Sequence, residues 1–272
     1  MRARVTIIMG AYNCESTLNS AIDSILEQTY QDWFFIICDD GSSDSTLEIL
    51  EEYSNQYPNK FLILRNESNL GLNKTLNRCL QLVDSEFVAR QDGDDVSLPD
   101  RFEKEVSFLD AHPEYGFVTS SMVFFDENGD WGEWKNPEVP EKKDFLRNTP
   151  CFCHAPCMIR TSAFFDVNGY SEDKKYLRCE DMNLWYKLYS KGYKGFNFQF
   201  PLYKMRDDRA AYQRRTVQNR LNIIRTDWDG MKMMGCHWYE YVFFLKKLIR
   251  HILLMIMPRP LYMFLHKQRL NG

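Results

Sequence analysis

Residues 4–40 read RVTIIMGAYNCESTLNSAIDSILEQTYQDWFFIICDD and contain a strand, a helix and a second strand. The apolar, β-branched run 4–11 predicts one buried strand, and the run 33–38 predicts another. Between these runs, apolar residues recur at helical spacing from Leu18 to Leu26, so they form one face of an amphipathic helix. Two parallel strands joined by a helix form a right-handed crossover, which is the building unit of a parallel sheet.

The same alternation continues to residue 95. The sequence predicts a helix from Ser43 to about residue 56, a strand at 61–64, a helix at 72–83 and a strand at 86–91. We therefore expect the α/β class, with a mostly parallel sheet flanked by helices. Ligands of such sheets bind at the carboxyl ends of the strands, where the sequence places two carboxylate clusters, at 39–40 and 92–95.

The chain after residue 100 has a less regular pattern. Residues 117–125 predict a strand, whereas the polar, Pro-containing segment 131–143 predicts a mobile loop. Residues 151–160 have no clear periodicity, and a helix is expected to begin near Glu180. From residue 210 the sequence becomes helical and basic.

The charge is distributed unevenly along the 272 residues, whose formal net charge is −4. Residues 201–272 carry 14 Lys and Arg against 5 Asp and Glu, a net charge of +9, which leaves −13 for residues 1–200. An acidic body argues against nucleic acid as a partner, whereas a basic tail favours an anionic surface. The 44% hydrophobic and 26% charged content is that of a soluble globular protein.

The sequence predicts a cytoplasmic protein. Its eight cysteines lack the dense spacing of a secreted disulfide scaffold. The apolar stretch at the N-terminus is too short for a signal-peptide core, and no apolar run reaches the roughly 18 residues of a membrane-spanning helix. We therefore expect reduced thiols, and only peripheral contact with any membrane.

The run Asp92-Gly93-Asp94-Asp95 places three carboxylates at a predicted strand end. This density of negative charge is unfavourable unless a cation lies nearby, and hard oxygen ligands suit Mg²⁺ or Mn²⁺. A solvated acidic turn is the alternative interpretation, and the local motif alone does not decide between the two.

Three other motifs have both a structural and a functional interpretation. At 39–42, a carboxylate can bind a base or ribose, while the same segment can cap the following helix. Glu180 and Asp181 lie at a predicted helix start, where acids usually complement the helix dipole but where a general base is the alternative. For CFCHAPC at 151–157, a zinc site is disfavoured because the spacing is not one of the usual paired arrangements.

Taken together, five segments closely resemble the family 2 glycosyltransferases, which are nucleotide-sugar-dependent enzymes of the GT-A fold. The segments are VTIIMGAYN at 5–13, DDGSSD at 39–44, NLG at 69–71, ARQDGDD at 89–95 with Pro99 and Arg101, and Glu180-Asp181. The resemblance covers roughly residues 3–206 and is strongest for bacterial enzymes that build O-antigen, capsule or exopolysaccharide. It implies a GT-A catalytic domain at 1–206, divided into a nucleotide-binding half at 1–100 and an acceptor-binding half at 101–206, with a helical extension at 207–272.

The resemblance implies which residues bind the donor. The implied nucleotide contacts are Ala11, Tyr12, Asn13, Asp40, Asn69, Arg90 and Asp92. Tyr12 is suited to stacking on the base. Asp40 matches a carboxylate that accepts a hydrogen bond from a pyrimidine ring, which favours UDP- or dTDP-sugars. A divalent cation, Mn²⁺ or Mg²⁺, is expected on Asp94, with Asp92 and Asp95 as further ligands.

The resemblance also implies the catalytic base and the acceptor. Asp181 matches the base, and the positions matching acceptor or diphosphate contacts are His154, Glu180 and Arg206. His154 precedes Ala155-Pro156 where relatives carry a His-Pro pair, so the sequence departs from the family pattern there. A single displacement would invert the anomeric configuration. The implied acceptor is a glycan linked to polyprenyl diphosphate at the cytoplasmic face of the inner membrane.

Residues 241–257 predict an amphipathic helix. One face carries Lys246, Lys247, Arg250 and His251, and the other carries Leu245, Leu248, Ile249, Ile252, Met255 and Ile256. This pattern is typical of a helix that lies in the plane of an anionic membrane. Packing on the catalytic domain or on a dimer partner is the alternative.

Two further classes of function remain open from the residues. Carboxylates with a divalent ion also serve phosphoryl or nucleotidyl transfer. A non-catalytic sugar-nucleotide-binding module is the other class, and the complete set of acidic motifs argues against it. We expect a glycosyltransferase.

Overall fold

A computed structural model describes residues 3–147, 150–207 and 216–257. Its strands are β1 (Val5–Ala11), β2 (Trp33–Asp39), β3 (Phe61–Arg65), β4 (Phe87–Arg90), β5 (Val96–Ser97), β6 (Tyr115–Asp126), β7 (Gly129–Trp134), β8 (Met158–Arg160) and β9 (Lys194–Arg206). Its helices are α1 (Leu18–Leu26), α2 (Thr46–Gln56), α3 (Leu72–Leu80), α4 (Arg101–Ala111), α5 (Lys142–Arg147), α6 (Thr161–Asp166), α7 (Glu180–Ser190), α8 (Val217–Met233) and α9 (Tyr241–Ile256). Short 3₁₀ turns at Lys174–Tyr176 and Trp238–Glu240 precede α7 and α9.

The described strands form one mixed sheet. Their order is β3-β2-β1-β4-β8-β6-β9-β5, with β7 paired to β6. Strand β1 runs parallel to β2 and β4, and β2 runs parallel to β3, so the N-terminal half is the parallel sheet that the sequence predicts. Strand β8 lies antiparallel between β4 and β6 and joins this half to the long parallel pair β6 and β9. The α/β class and the mostly parallel sheet are therefore confirmed.

Alternate residues of β1 enter the hydrophobic cores on opposite faces of the sheet. Val5, Ile7 and Met9 belong to the core that contains side chains of α1, α2 and α4. Ile8 belongs to the other core, with side chains of α3, α6 and α7. Because side chains alternate along a strand, a strand covered on both faces needs a continuous apolar run. This burial explains why the first strands are so clear in the sequence.

The segment at 131–143, expected to be a mobile loop, lacks regular structure only at 135–141. Its other residues contribute most of β7, which pairs antiparallel with β6, and the start of α5. Gly129 has φ of 109°, a conformation that favours glycine and permits the tight turn between the strands. The ring of Trp131 stacks on that of Phe124 at 5.3 Å, so cross-strand packing holds a strand that is otherwise polar. The segment at 151–160 likewise ends in the three-residue strand β8, which is too short to produce a periodic pattern.

The described part of the C-terminal segment is helical, as predicted, and α8 packs against α7. The hydroxyl of Tyr186 donates to Asp227 Oδ1 at 2.6 Å, and Asn222 Nδ2 donates to the carbonyl of Leu177 at 3.0 Å. A Cβ atom at Gly230 would lie 2.2 Å from the Tyr186 ring, so only glycine permits this approach. In the described ranges, no helix has the length and apolar character needed to cross a membrane. The parts of the predicted extension at 208–215 and 258–272 lie outside those ranges.

Candidate active site

The segments that follow β1, β2 and β4 meet at the carboxyl edge of the parallel sheet. The amide of Asp40 donates to the carbonyl of Ala11 at 2.8 Å, and the amide of Asn13 donates to Ser42 Oγ at 3.0 Å. Thr17 Oγ1 donates to the carbonyl of Gly93 at 2.8 Å, which ties the turn after β1 to the acidic loop after β4. These bonds gather the sequence-predicted donor residues into one region.

Tyr12 and Asn13 occupy different parts of the turn after β1. Tyr12 is 49% exposed, so its ring is accessible to a stacking partner. Asn13 has φ of 48°, and its Oδ1 accepts from the amide of Ser43 at 2.9 Å. The Ala11 side chain is buried in the core, which leaves only its backbone available to a ligand.

Asp40 is buried and organises the loop that carries Asn69. Its Oδ1 accepts from Asn66 Nδ2 at 2.7 Å and from the amide of Leu70 at 2.8 Å, and its Oδ2 accepts from the amide of Gly71 at 3.0 Å. A carboxylate has about four acceptor positions, so one remains for a ligand. Asn69 itself is exposed.

Asn66 is a site-building residue that the sequence analysis missed. Its side chain is buried, and its Oδ1 accepts from Arg78 Nη1 at 2.5 Å while its Nδ2 donates to Asp40 and to Thr75 Oγ1. It follows β3 directly. The rule that polar residues gather at the carboxyl ends of parallel strands would have identified it.

Arg90 ends β4 and is almost fully buried, with 5% of its surface exposed. Its Nε donates to Asp92 Oδ1 at 2.7 Å and its Nη2 donates to Asp92 Oδ2 at 3.1 Å. This is a two-point guanidinium–carboxylate pair. The guanidinium also contacts the imidazole of His154 and lowers the pKa of Asp181, so it acts on both the acidic loop and the start of α7.

His154 is held as a neutral imidazole. Burial, together with the charge of Arg90, lowers its pKa well below the ordinary value. Its Nε2 lies 2.9 Å from the hydroxyl of Tyr170, a residue that the sequence analysis did not single out. The backbone of Tyr170 is in turn bound by Asn77 of α3, at 2.9 Å and 2.8 Å. The structure thus brings His154 to the acidic loop through Arg90.

The three carboxylates of the acidic loop have different environments. Asp92 is half-buried and paired with Arg90. Asp95 is buried, and its Oδ1 accepts from the amide of Arg206 at 2.8 Å. Burial raises the pKa of Asp95 well above its usual range, and the neighbouring Asp94 and Asp92 raise it further. Asp94 lies between them in the loop and is half-buried.

Residues beneath the acidic loop fix its shape. Gln91 Nε2 donates to the carbonyls of Asp92 and Asp95, at 3.1 Å and 3.0 Å. Arg101, whose side chain is fully buried, donates through Nη2 to the carbonyl of Arg90 at 3.0 Å. Arg101 is part of the sequence motif, but its support of the acidic loop depends on contacts that are visible only in three dimensions.

The carboxylates fit a divalent cation only if a ligand completes its coordination. In the part of the chain that the structure describes, no three His, Cys, Asp or Glu side chains are grouped so that they could hold a metal ion. Mg²⁺ is commonly bound by one or two carboxylates together with substrate phosphates. Asp94, with Asp92 beside it, therefore fits a cation that arrives with the donor diphosphate.

The thiols beside His154 stay protonated. Burial raises the pKa of Cys151, Cys153 and Cys157 to about 12 each. Cys153 Sγ accepts a hydrogen bond from Asn136 Nδ2 at 3.5 Å. Because zinc binds thiolates, these environments favour a packing role for the three residues.

Glu180 and Asp181 form the first turn of α7, as predicted. Burial raises the pKa of Asp181 to about 7, and the Glu180 carboxylate raises it as well, while backbone hydrogen bonds and Arg90 oppose the shift. A carboxylate of this kind accepts protons near neutral pH far better than an ordinary aspartate does. The environment is therefore that of a candidate general base.

Arg206 ends β9 beside the acidic loop. Its Nε donates to the carbonyl of Asp94 at 3.3 Å, and its guanidinium lies 4.6 Å above the ring of Phe125. The half-buried side chain thus places a positive charge next to the carboxylates. The backbone amide of Arg206 donates to Asp95, so β9 is held against a loop that lies more than a hundred residues earlier in the sequence.

Comparison with known proteins places this chain in a family. It matches the family model described as Glycosyl transferase family 2 over residues 6–171. It is 38% identical over 266 residues to a protein named glycosyltransferase EpsE of Bacillus subtilis (strain 168), covering 98% of this chain and 94% of that protein. It is 26% identical to UDP-Glc:alpha-D-GlcNAc-diphosphoundecaprenol beta-1,3-glucosyltransferase WfgD of Escherichia coli, covering 83% of this chain and 84% of that protein.

Solved structures share the fold. The mannosyltransferase PcManGT from Pyrobaculum calidifontis, in complex with GDP-Man and Mn²⁺, gives a TM-score of 0.65 at 17% identity and covers 98% of this chain and 80% of that chain. TarS 1–349 of S. aureus in complex with UDP gives 0.63 at 18% identity and covers 85% and 69%. These likenesses show the fold alone and confirm the expected GT-A architecture. With the family model spanning more than half of the chain and a relative matched along nearly its whole length, the protein belongs to glycosyl transferase family 2.

Proposed function

We propose that this glycosyltransferase moves a sugar from a UDP- or dTDP-sugar to a hydroxyl group of a lipid-linked glycan, with inversion at the anomeric carbon. The broader activity, sugar transfer in polysaccharide synthesis, follows from the family and its named relatives. The observation that carries the proposal is the position of Arg90. Its buried guanidinium pairs with Asp92 of the acidic loop and lowers the pKa of Asp181, so it connects the donor side to the candidate base.

Asp181 is the proposed general base. The side chain would take the proton of the acceptor hydroxyl as that oxygen attacks the anomeric carbon. Its raised pKa of about 7 suits this role near neutral pH. Because one displacement occurs on the face opposite the leaving group, the anomeric configuration is inverted. Glu180, adjacent in the same turn, keeps this pKa high by charge repulsion.

The leaving diphosphate would be met by positive charge from the protein. Arg206 lies against the acidic loop, and Arg90 lies beneath it. A divalent cation, Mn²⁺ or Mg²⁺, would be held by Asp94 with Asp92, and when bound it would stabilise the charge that develops on the leaving group. Asp95, whose Oδ1 already accepts from the backbone of β9, would mainly hold the loop in place.

The region around Asp40 supports the proposed donor class. This carboxylate retains an acceptor position, and its backbone is bonded to Ala11, the residue before the exposed Tyr12. The two side chains together would suit a pyrimidine ring that donates an N–H and stacks on an aromatic residue. The names of WfgD and of a second Escherichia coli relative, the beta-1,3-glucosyltransferase WfaP, specify UDP-Glc and a diphosphoundecaprenol-linked sugar. They support a UDP-sugar donor and a polyprenyl-linked acceptor here.

A lipid-linked acceptor would bring the enzyme to the cytoplasmic face of the inner membrane, in peripheral contact through the C-terminal helices. The catalytic domain would extend over 1–206, in halves at 1–100 and 101–206, with the helical extension at 207–272.

The test is nucleotide release from a panel of UDP-, dTDP- and GDP-sugars, first with Mn²⁺ and then with EDTA. We expect slow, metal-dependent hydrolysis of one UDP- or dTDP-sugar that frees a nucleoside diphosphate. Release of a nucleoside monophosphate would contradict the proposal and indicate phosphoryl transfer. Metal-dependent release from GDP-sugars alone would overturn the donor class.

A further inference from the structure

Among the described residues, helix α9 packs on the rest of the protein through one face. On that face Phe244 is buried with Leu146 and Met231, and Leu248 packs at the edge of this cluster. Lys247 also points inward, since its Nζ donates to the carbonyl of Phe145 at 2.6 Å and to Asp227 Oδ1 at 3.1 Å. The inner face therefore has its packing partners within the catalytic body.

The inward position of Lys247 corrects the expected basic face. The sequence pattern places Lys246, Lys247, Arg250 and His251 together on one face of the helix. Lys247 is only 7% exposed, and burial lowers the pKa of the half-buried His251 to about 4, so His251 is uncharged at neutral pH. The cations that remain on the surface of the helix are Lys246 and Arg250.

The outer face of α9 is apolar and exposed. Five aliphatic residues spaced along one side are between 48% and 59% exposed: Val242, Leu245, Ile249, Ile252 and Leu253. The preceding turn adds Trp238, at 86%, and Tyr239, at 58%. A stripe of this kind, on a helix whose opposite face is already packed, is not explained by folding of the described chain. We call these seven residues the outer apolar stripe.

Most of the charge around the outer apolar stripe is positive, and Glu240, in the turn that carries Trp238 and Tyr239, is paired with Lys142. Lys246 and Arg250 flank it on α9, and the neighbouring helix α8 exposes Arg225 and Lys232. The sequence from 241 to 272 contains six Lys and Arg and no Asp or Glu. A second copy of the chain seated on the stripe would bring these like charges together, whereas an anionic surface would complement them.

We propose that the outer apolar stripe is the surface through which the enzyme lies on an anionic lipid bilayer, with α9 in the plane of the interface. The aliphatic side chains would enter the boundary of the acyl chains, while Trp238 and Tyr239 would lie at the level of the headgroups. Lys246 and Arg250 would contact the lipid phosphates. This proposal rests on the proposed function, because a lipid-linked acceptor would require contact with a membrane. Vesicle binding itself can be measured without catalysis.

The docking helix is also connected to the candidate base. Asp227 accepts from Lys247 of α9 and, through the same Oδ1, from the hydroxyl of Tyr186 on α7. The first turn of α7 carries Asp181. A bilayer bound by the outer face of α9 would therefore have a fixed orientation relative to the acceptor side of the site.

The experiment is sedimentation of the full chain with vesicles of pure phosphatidylcholine and with vesicles of phosphatidylcholine and phosphatidylglycerol in equal parts. We expect strong binding to the mixed vesicles and weak binding to the neutral ones. The double variant Leu245→Ser/Ile249→Ser should lose about tenfold or more of the vesicle affinity. Lys246→Glu/Arg250→Glu should lose the preference for the anionic vesicles. All of these side chains are on the surface, so the fold should be retained, which thermal unfolding would check.

The matched control removes the same kind of side chain elsewhere. Leu62 and Leu82 are exposed on the nucleotide-binding side, and Leu62→Ser/Leu82→Ser should bind vesicles as the unaltered protein does. Equal binding by the Leu245/Ile249 variant and this control would overturn the proposal. A dimer in vesicle-free solution that Leu245→Ser/Ile249→Ser dissociates would overturn it in favour of self-association. Metal-dependent nucleotide release in vesicle-free solution should be unchanged in Leu245→Ser/Ile249→Ser and in Lys246→Glu/Arg250→Glu. Absence of this release from the unaltered protein would count against the proposed function and not against vesicle binding.

Discussion

The guanidinium of Arg90 lies in a two-point contact with the carboxylate of Asp92, with Nε 2.7 Å from Oδ1 and Nη2 3.1 Å from Oδ2. Arg90 is buried, so its positive charge is held next to Asp92 of the acidic loop before any donor binds. The negative charge of a donor diphosphate would then lie near a guanidinium group whose orientation is already fixed. The same guanidinium lowers the pKa of Asp181, so one side chain affects both halves of the proposed reaction.

Arg90→Lys should lower kcat/KM for sugar transfer about tenfold or more. A lysine ammonium retains the charge but cannot bridge both oxygens of Asp92, so the acidic loop would lose its fixed orientation. Steady-state transfer kinetics would measure the change. The control is Arg65→Lys, an exposed arginine at the end of β3, which should leave kcat/KM unchanged. Equal kinetics for the two variants would remove Arg90 from the proposed site.

The transfer rate should rise with pH through about 7 and then level off. Asp181 must be ionised to accept a proton, and its pKa is raised to about 7 by burial and by Glu180. Glu180→Gln removes a neighbouring negative charge, so it should move the rise in kcat/KM to lower pH. Profiles of kcat/KM against pH would measure both effects. A rise at the same pH in both proteins would show that Asp181 is not the titrating group.

Asp94→Asn should decrease Mn²⁺-stimulated nucleotide release by about a hundredfold. The substitution removes the carboxylate that is proposed to hold the cation, whose stabilisation of a leaving group is worth several kcal/mol. Asp95→Asn is the matched control: its amide oxygen can still accept from the backbone of Arg206, so the Mn²⁺ dependence should persist. Titration of both variants with Mn²⁺ would decide. Loss of the metal response only in Asp95→Asn would reverse the assignment.

Lys247→Met should lower the free energy of unfolding by about 3 kcal/mol. The substitution removes the cation next to Asp227, which is fully buried, and loss of the opposite charge from a buried ion pair is strongly destabilising. The neighbouring exposed residue gives the control, since Lys246→Met should change stability by less than about 0.5 kcal/mol. Urea unfolding would measure both. Similar values for the two variants would mean that the buried pair contributes little.

Much of the fold and the site follows from local patterns in the sequence. Strands such as Val5–Ala11 are covered on both faces, so their apolar runs are continuous and end at turn residues. The rule that ligands bind at the carboxyl ends of these strands then selects Asp40 and the acidic loop. Both clusters do lie at one edge of the sheet.

The remainder depends on contacts that are distant in sequence. Gly129–Trp134 is a strand because Trp131 packs on Phe124 across the hairpin, although its composition is that of a loop. The sequence around Lys247 is typical of a surface residue, but in the fold its Nζ donates to Asp227 and to the carbonyl of Phe145. Tyr170 supports His154 only because α3 holds its backbone. Contacts of this kind leave no periodic pattern in the sequence.

The most direct measurement compares Asp181→Asn with the unaltered enzyme in two assays, sugar transfer to the acceptor and donor binding by calorimetry. We expect transfer to fall by about 10³-fold, in the range for loss of a general base, with the donor dissociation constant changed by less than about twofold. Transfer that persists while donor binding is lost would contradict the assignment of Asp181 as the base.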